Sequence, residues 1–377
     1  MDFSLTEEQE MFRGHIRKML DKFGGTQLAR EMIDNNPENL KKVYTTLAEL
    51  GCSGINIPEE YDGMDLDALD LVPTFEEMGR SLVPGLFMET SALVVPILKK
   101  YGTEQQKQHY LSAIASGETW ISFAALEPFN DFSPAGIQCT LVQQDGQYVL
   151  NGTKTLVPEA ELADAFLLLV RTNQEDQEDG LSLVLIDKTE GMNIEKQSSF
   201  DESTHVAKIE FNHLVIKEDQ IIGEVDKGWT QLQEGLLYFN AALSSYIVGA
   251  MESVVHMATE YAKIREQFGQ AIGRFQAIKH SIVNMKVNLE IARSLSHYAN
   301  WVVDTDEFDR EAAIYSARTY ATEKFIEVSA HNIQIHGGIG FTEEIDCHLF
   351  VKRARYYDQY LGSTPFYQEK VVASLGW

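Results

Sequence analysis

The stretch CTLVQQDGQYVLNGTKTLV, Cys139 to Val157, reads as two extended runs around Asp145-Gly146. An Asp-Gly pair between apolar runs is the strongest short-range hairpin signal, because those residues accept the positive φ angles of a tight turn. Working outward, WISFAALE (Trp120–Glu127) precedes it and is apolar and β-like. DAFLLLVRT (Asp164–Thr172), LSLVLIDK (Leu181–Lys188) and VAKIEFNHLVI (Val206–Ile216) follow as further strands. Polar loops separate them, and the run from Asn173 to Gly180 is expected to be an exposed one. Residues 120–227 are therefore expected to form a middle domain, an antiparallel β-sandwich or barrel.

Helical periodicity flanks this block on both sides. In SLTEEQEMFRGHIRKML, Ser4 and Thr6 are good caps, and Met11, Phe12, Ile16 and Leu20 recur every three or four residues. NLKKVYTTLAELG stops on Gly51, and TEQQKQHYLSAIASGE starts on a capping Thr103. Residues 1–119 are expected to be an N-terminal helical domain. Beyond Gly228 the helices lengthen. One is expected from about Asn240 to Gly269, and a second carries Ile278, Ile282, Met285, Leu289, Ala292 and Leu295 on one stripe. A third covers Arg310–Gly337 and a fourth part of 346–375, making a four-helix bundle over 228–377.

Composition narrows the function classes. The chain has 377 residues, 44% hydrophobic, enough core for two or three domains. Asp and Glu number 57 against 31 Lys and Arg, so the net charge of −26 argues against nucleic acid and anionic membranes as partners. The acidity itself reads as solubility. The acidic N-terminus lacks the basic-then-apolar order of a signal peptide, and AFLLLV (Ala165–Val170) is too short to span a bilayer. Cys52, Cys139 and Cys347 are scattered, and no His pair has metal-ligand spacing, so neither disulfides nor a metal site is expected. A soluble, cytoplasmic protein is the expectation.

Two segments have residues suited to a ligand. In YAKIREQFGQAIGRFQAIKH, Arg265, Phe268, Gly269 and Gln276 would suit a diphosphate beside a flat ring. Taken alone, a plain helix stop at Gly269 with Phe268 in the core is the simpler explanation. In NIQIHGGIGFTEE, Gln334 and His336 precede Gly337, Gly338 and Gly340, where a backbone can approach a ligand closely. A plain turn between helices is the alternative, since no strand precedes the glycines as a dinucleotide fingerprint requires. In LEPFNDFSPAG, Glu127 and Asp131 are possible acids or surface-turn residues.

In order and at these separations, YGTEQQKQHYLSAIASGE, LEPFNDFSP, YVLNGTKTLVPEAELADAFLLLVRT, REQFGQAIGRFQAIKH and IQIHGGIGFTEE resemble the acyl-CoA dehydrogenase family over nearly the whole chain. The resemblance implies the α, β, four-helix-bundle order, usually assembled as a tetramer, and a place in fatty-acid metabolism. It implies FAD between the β domain and the bundle, with Arg265, Phe268, Gln276, Gln334 and Gly338 as its contacts. It also implies α,β-dehydrogenation of an acyl-CoA, a carboxylate taking the α-proton, and an electron-transfer flavoprotein as electron partner.

The chain departs from the family where the chemistry sits. Leu126 replaces the usual Thr of T-E-P, Asp131, Phe132 and Ser133 replace G-S-D, and Leu156 replaces a tryptophan. The frequent base, the Glu of Y-E-G-T, aligns with Leu361 in Tyr360-Leu361-Gly362-Ser363. The alternative Glu-Arg pair on the first bundle helix aligns with Phe239-Asn240, which also removes an arginine that supports the substrate. No catalytic residue is assigned. Four readings follow: a dehydrogenase with its base elsewhere, at Asp358 or Asp131; a base-less subunit of a heteromeric enzyme; an oxygen-using oxidase or monooxygenase; or a scaffold that has lost the flavin. The C-terminal stretch is more similar to the bacterial branch with paired subunits than to the mitochondrial type. A homo-oligomer or a heteromer with a related subunit is expected.

Overall fold

The computed structural model describes residues 5–129, 131–144, 146–173 and 178–376. Ser4, Asp145 and part of the expected polar loop lie outside the described residues. In chain order, helices α1 (Glu7–Lys22), α2 (Gln27–Ile33), α3 (Glu38–Glu49) and α4 (Ala68–Arg80) come first, followed by α5 (Phe87–Glu89), α6 (Val95–Tyr101) and α7 (Glu104–Ala115). Strands β1 (Ile121–Ala124), β2 (Thr140–Gln144), β3 (Gln147–Pro158), β4 (Ala165–Arg171), β5 (Leu181–Asp187), β6 (Met192–Gln197), β7 (Val206–Ile216) and β8 (Ile221–Ile222) follow. Then come α8 (Gly228–Ile264), a short ribbon of β9 (Glu266–Gln267) and β10 (Gln270–Ala271), α9 (Gln276–Val302), α10 (Arg310–His336), α11 (Cys347–Gln359) and α12 (Thr364–Ser374). By packing, these form two compact units: a sheet unit, Lys41–Asp67 with Gly85–Phe239, and a helical unit, Met1–Leu40, Ala68–Pro84 and Asn240–Trp377.

The sheet unit holds eight strands in the order β6-β7-β3-β2-β4-β5-β8, with β1 alongside β4. The expected hairpin is β2 and β3, antiparallel, with Gln144 opposite Gln147. β4 is buried along its whole length and β5 as far as Ile186, which explains their unbroken apolar runs. Two features differ from the expectation of an antiparallel sheet of the strands named above. β1 runs parallel to β4, Ile121 opposite Ala165, because the β2–β3 hairpin intervenes between them in the chain. The sequence does not announce β6, because MNIEKQ is a short, mostly polar edge strand with only Met192 and Ile194 apolar.

The helical unit begins with α1, whose N-cap Thr6 forms a capping box with Gln9. α8 is longer at its start and shorter at its end than periodicity suggests, running from Gly228 to Ile264. The sequence stays amphipathic back to Trp229, and the ribbon β9–β10 ends the helix before Gly269. On α9, Met285, Leu289 and Ala292 of the expected stripe are fully buried. The fourth member of the bundle is broken. α11 stops at Gln359 and α12 starts at Thr364 with Pro365 in its first turn. Between them Leu361 and Gly362 take φ of 54° and 117°. Among the described residues no helix is long and apolar enough to cross a membrane, and no group of three or more His, Cys, Asp or Glu is placed to hold a metal.

Candidate functional site

Five sequence-expected ligand residues lie at one end of the helical unit. After α8, residues Phe268 and Gly269 occupy the two turn positions of the β9–β10 ribbon with φ of 54° and 79°, the signs of a type I′ turn. Phe268 is therefore no core residue: it is 92% exposed and meets Phe275 edge to face at 6.1 Å. Arg265 is exposed and its guanidinium makes no ion pair among the described residues. Gln276 is the first residue of the 27-residue helix α9, whose N-cap Phe275 supplies no side-chain acceptor. First-turn N–H groups without a capping side chain suit an anion.

At the end of α10, Gln334 is exposed, and a Cβ added at Gly337 or Gly338 would meet nothing within 4 Å. His336 stacks on Tyr261 of α8 at 4.1 Å, and Ser281 of α9 meets His331 of α10 at 3.4 Å. These contacts bring the Arg265 ribbon, the start of α9 and the Gly337-Gly338 turn to one end. An unpaired cation, an uncapped helix start, an exposed ring and an open glycine turn fit a diphosphate joined to a flat ring system.

The other expected position is the break between α11 and α12. Leu361 is 1% exposed, and Phe239 and Asn240 of α8 are also buried. The Tyr367 hydroxyl donates to the Leu361 carbonyl at 2.6 Å and accepts from Asn240 Nδ2 at 3.3 Å. The buried Arg318 donates to the carbonyls of Tyr357 (2.5 Å) and Tyr360 (3.3 Å) and to Thr322 Oγ1 (2.6 Å). Its guanidinium lies 5.4 Å from the Tyr367 ring centroid. Burial pulls the Arg318 guanidinium below its ordinary value; burial pushes the Tyr367 phenol up, opposed by Arg318 and Asn240. Asp358 is half-buried and spends its carboxylate on Thr364 Oγ1 (2.7 Å) and Gln359 Nε2 (2.9 Å), tying α11 to α12. Asp131 is exposed on its loop. Neither sequence pattern nor spacing points to Arg318 or Tyr367, which reach backbone carbonyls distant in the chain or off any motif.

In the sheet unit, Glu127 is not a free acid. It accepts from the N–H groups of Gln138 (2.8 Å) and Cys139 (3.0 Å) and from Lys154 Nζ (2.7 Å). Lys154, fully buried, also donates to the carbonyls of Ala125 (3.1 Å) and Leu169 (2.5 Å). Arg171 donates to the Ile137 carbonyl at 2.7 Å and to that of Pro134. Residues Ala125, Glu127, Pro134, Ile137, Gln138 and Cys139 of the stretch after β1 are thus tied to Lys154, Arg171 or each other. Burial pushes the Cys139 thiol up to about 11, which keeps it protonated beside this pair. Leu156 sits at a β3 bulge with φ of 51°, its N–H donating to Gln197 Oε1 at 2.9 Å. Sequence reading noted Glu127 but missed Lys154, which has no local signal as its partner.

A leading helical segment, a mixed sheet and a long helical C-terminal part define a multidomain α and β protein. Family models for the N-terminal, middle and C-terminal domains of acyl-CoA dehydrogenase match residues 6–118, 122–217 and 226–375. The chain belongs to the acyl-CoA dehydrogenase family. It is similar to a 3-(aryl)acrylate reductase of Clostridium sporogenes, 29% identical over 98% of both chains. It is likewise 29% identical to the caffeyl-CoA reductase-Etf complex subunit CarC of Acetobacterium woodii, covering 96% of this chain and 97% of that one. Among solved structures, the FAD complex of PigA superposes with a TM-score of 0.90 at 26% identity, covering 100% and 99%.

Proposed function

We propose that this chain is an FAD-dependent oxidoreductase acting on the Cα–Cβ bond of an acyl-CoA or related acyl thioester, exchanging electrons with an electron-transfer flavoprotein. The observation that carries the reading is the end of the helical unit where Arg265, the start of α9 and the Gly337-Gly338 turn meet. FAD is the family's cofactor and, when bound, supplies the two-electron acceptor or donor for hydride at the β-carbon. Arg265 would hold the diphosphate by charge-assisted hydrogen bonds, Gln276 and Gln334 would offer their amides, and Phe268 would cover a flat surface. Gly338 leaves room for the ligand at the backbone. The relatives named as an acrylate reductase and as a caffeyl-CoA reductase in complex with Etf support both the bond acted on and the electron partner, and they keep the reductive direction within the reading.

Leu361 and Phe239 favour a second feature of the reading: this chain moves no α-proton from either expected position. A missing general base is worth about 100- to 10,000-fold in rate. The chain would then be slow alone and work beside a related subunit that carries a carboxylate. The test is anaerobic titration of the FAD-loaded protein with a panel of acyl-CoAs, for wild type and Leu361→Glu. The expected result is a yellow protein that bleaches slowly or not at all, with bleaching faster by at least about tenfold in the variant. A colourless protein that takes up no added FAD would overturn the reading. Fast bleaching of the wild type would remove the partner requirement.

A further inference from the structure

The turn carrying Leu361 is held at its carbonyl oxygens from two helices, and a third helix braces one of those contacts. Arg318 of α10 takes the carbonyls of Tyr357 and Tyr360, which the end of α11 leaves without helical partners. Tyr367 of α12 takes the Leu361 carbonyl, and Asn240 of α8 donates to the Tyr367 oxygen. Leucine disfavours the left-handed conformation it adopts at 361, so something must over-determine it. The hydrogen bonds run one way. A phenol has one proton, which goes to the Leu361 carbonyl, and the amide of Asn240 then fills the phenol's acceptor side.

We propose that Asn240 and Tyr367 are positioning residues: together they fix the Leu361 carbonyl and the left-handed backbone at 361. Position 240 thereby serves the turn and not the carrier of a bound thioester. The inference rests on the reading that 361 faces the reacting carbon. It explains how an apolar residue keeps a demanding backbone geometry that no side-chain chemistry of its own requires. It also gives Asn240 a partner 127 positions along the chain, in place of the ligand contact that the family's arginine would make.

Two substitutions that nearly conserve volume test it. Tyr367→Phe removes the hydroxyl. Asn240→Asp turns the donor into an acceptor, so the phenol proton turns to 240 and the Leu361 carbonyl is released. Each should raise amide hydrogen exchange across residues 360–363 by about tenfold, the factor that one ordinary net hydrogen bond represents. FAD affinity should stay within about twofold, while the dissociation constant for butyryl-CoA rises about tenfold, and the double variant should be no worse than either single one. A merely structural role would weaken FAD and thioester binding together, or neither. Unchanged exchange in Tyr367→Phe, which is the safer variant to fold, would overturn the proposal, as would multiplicative effects in the double variant. If no form binds FAD or butyryl-CoA, the functional reading fails, while the exchange data still judge the clamp.

Discussion

Two leucines stand where the family resemblance expects a glutamate and a tryptophan, and both have positive φ: 51° at Leu156 and 54° at Leu361. Left-handed geometry costs a branched side chain about 1–2 kcal/mol, so at both positions the surroundings must offset that cost. Their surroundings differ. Leu156 is half-buried at a bulge, whereas Leu361 is packed in the core. Leu156→Gly should therefore leave the urea midpoint nearly unchanged or raise it, because the relieved strain offsets the lost contact. Leu361→Gly should lose a further ~1–3 kcal/mol, the cavity cost less the same relief. Equal effects from the two would show that strain, not packing, dominates at 361. Leu361→Glu adds a pH signature. Burial raises a carboxyl's folded pKa, so its stability deficit against wild type should be smallest below about pH 4.3 and widen as pH rises from there toward the raised folded value. At this scale the sequence was readable wherever side-chain identity carried the message, as at 361. Tyr367 and Arg318 were not, because a side chain bonded to a distant backbone carbonyl leaves no pattern along the chain.

Among elements, the helices were legible where local chemistry ends them. Thr6 with Gln9 and Thr103 with Gln106 close capping boxes that can be recognised from four residues. The β9–β10 ribbon was not legible, since it asks a phenylalanine to take a turn position that normally selects Asn or Gly. The crossing of α4 and α8 depends on glycines whose role also appears only in three dimensions. A Cβ at Gly79 would lie 1.8 Å from the Tyr246 carbonyl oxygen, and one at Gly249 would lie 1.7 Å from that of Glu76. Both neighbours are helical backbone and cannot give way cheaply. Gly249→Ala should therefore destabilise by at least ~3 kcal/mol, the upper end of overpacking. Gly14 of α1 supplies the control, because its added Cβ meets nothing within 4 Å. Gly14→Ala should stabilise by about 0.5–1 kcal/mol through helix propensity alone. Thermal unfolding of the two variants decides the point, and a gain at Gly249 would mean the helices do not cross this closely.

For the whole molecule, the composition gives a net charge of −26, and self-repulsion from that excess eases as pH falls from 7. One buried cluster in the helical unit works the other way. Glu77 is fully buried on α4 and is held by Arg17 at 2.7 Å, Arg80 at 2.6 Å and Arg13 at 3.1 Å. Burial alone would raise its carboxyl, but the hydrogen bonds of Arg17 and Arg80 override this and hold it below the usual carboxylate range. A depressed folded pKa means that the stabilisation is complete above the ordinary unfolded value of about 4.3 and disappears as pH falls through the folded one. Glu77→Gln should cost about 3 kcal/mol at pH 7, the low end for a broken buried pair, because Arg17 reaches solvent. The global repulsion is nearly the same in both proteins, so it cancels in the difference between their melting temperatures. That difference should be constant from pH 7 to about 5 and shrink below about 4.3, where the wild type loses what the variant never had. Melting curves that stay parallel down to pH 3.5 would remove Glu77 from the acid limb and leave net charge as the governing term.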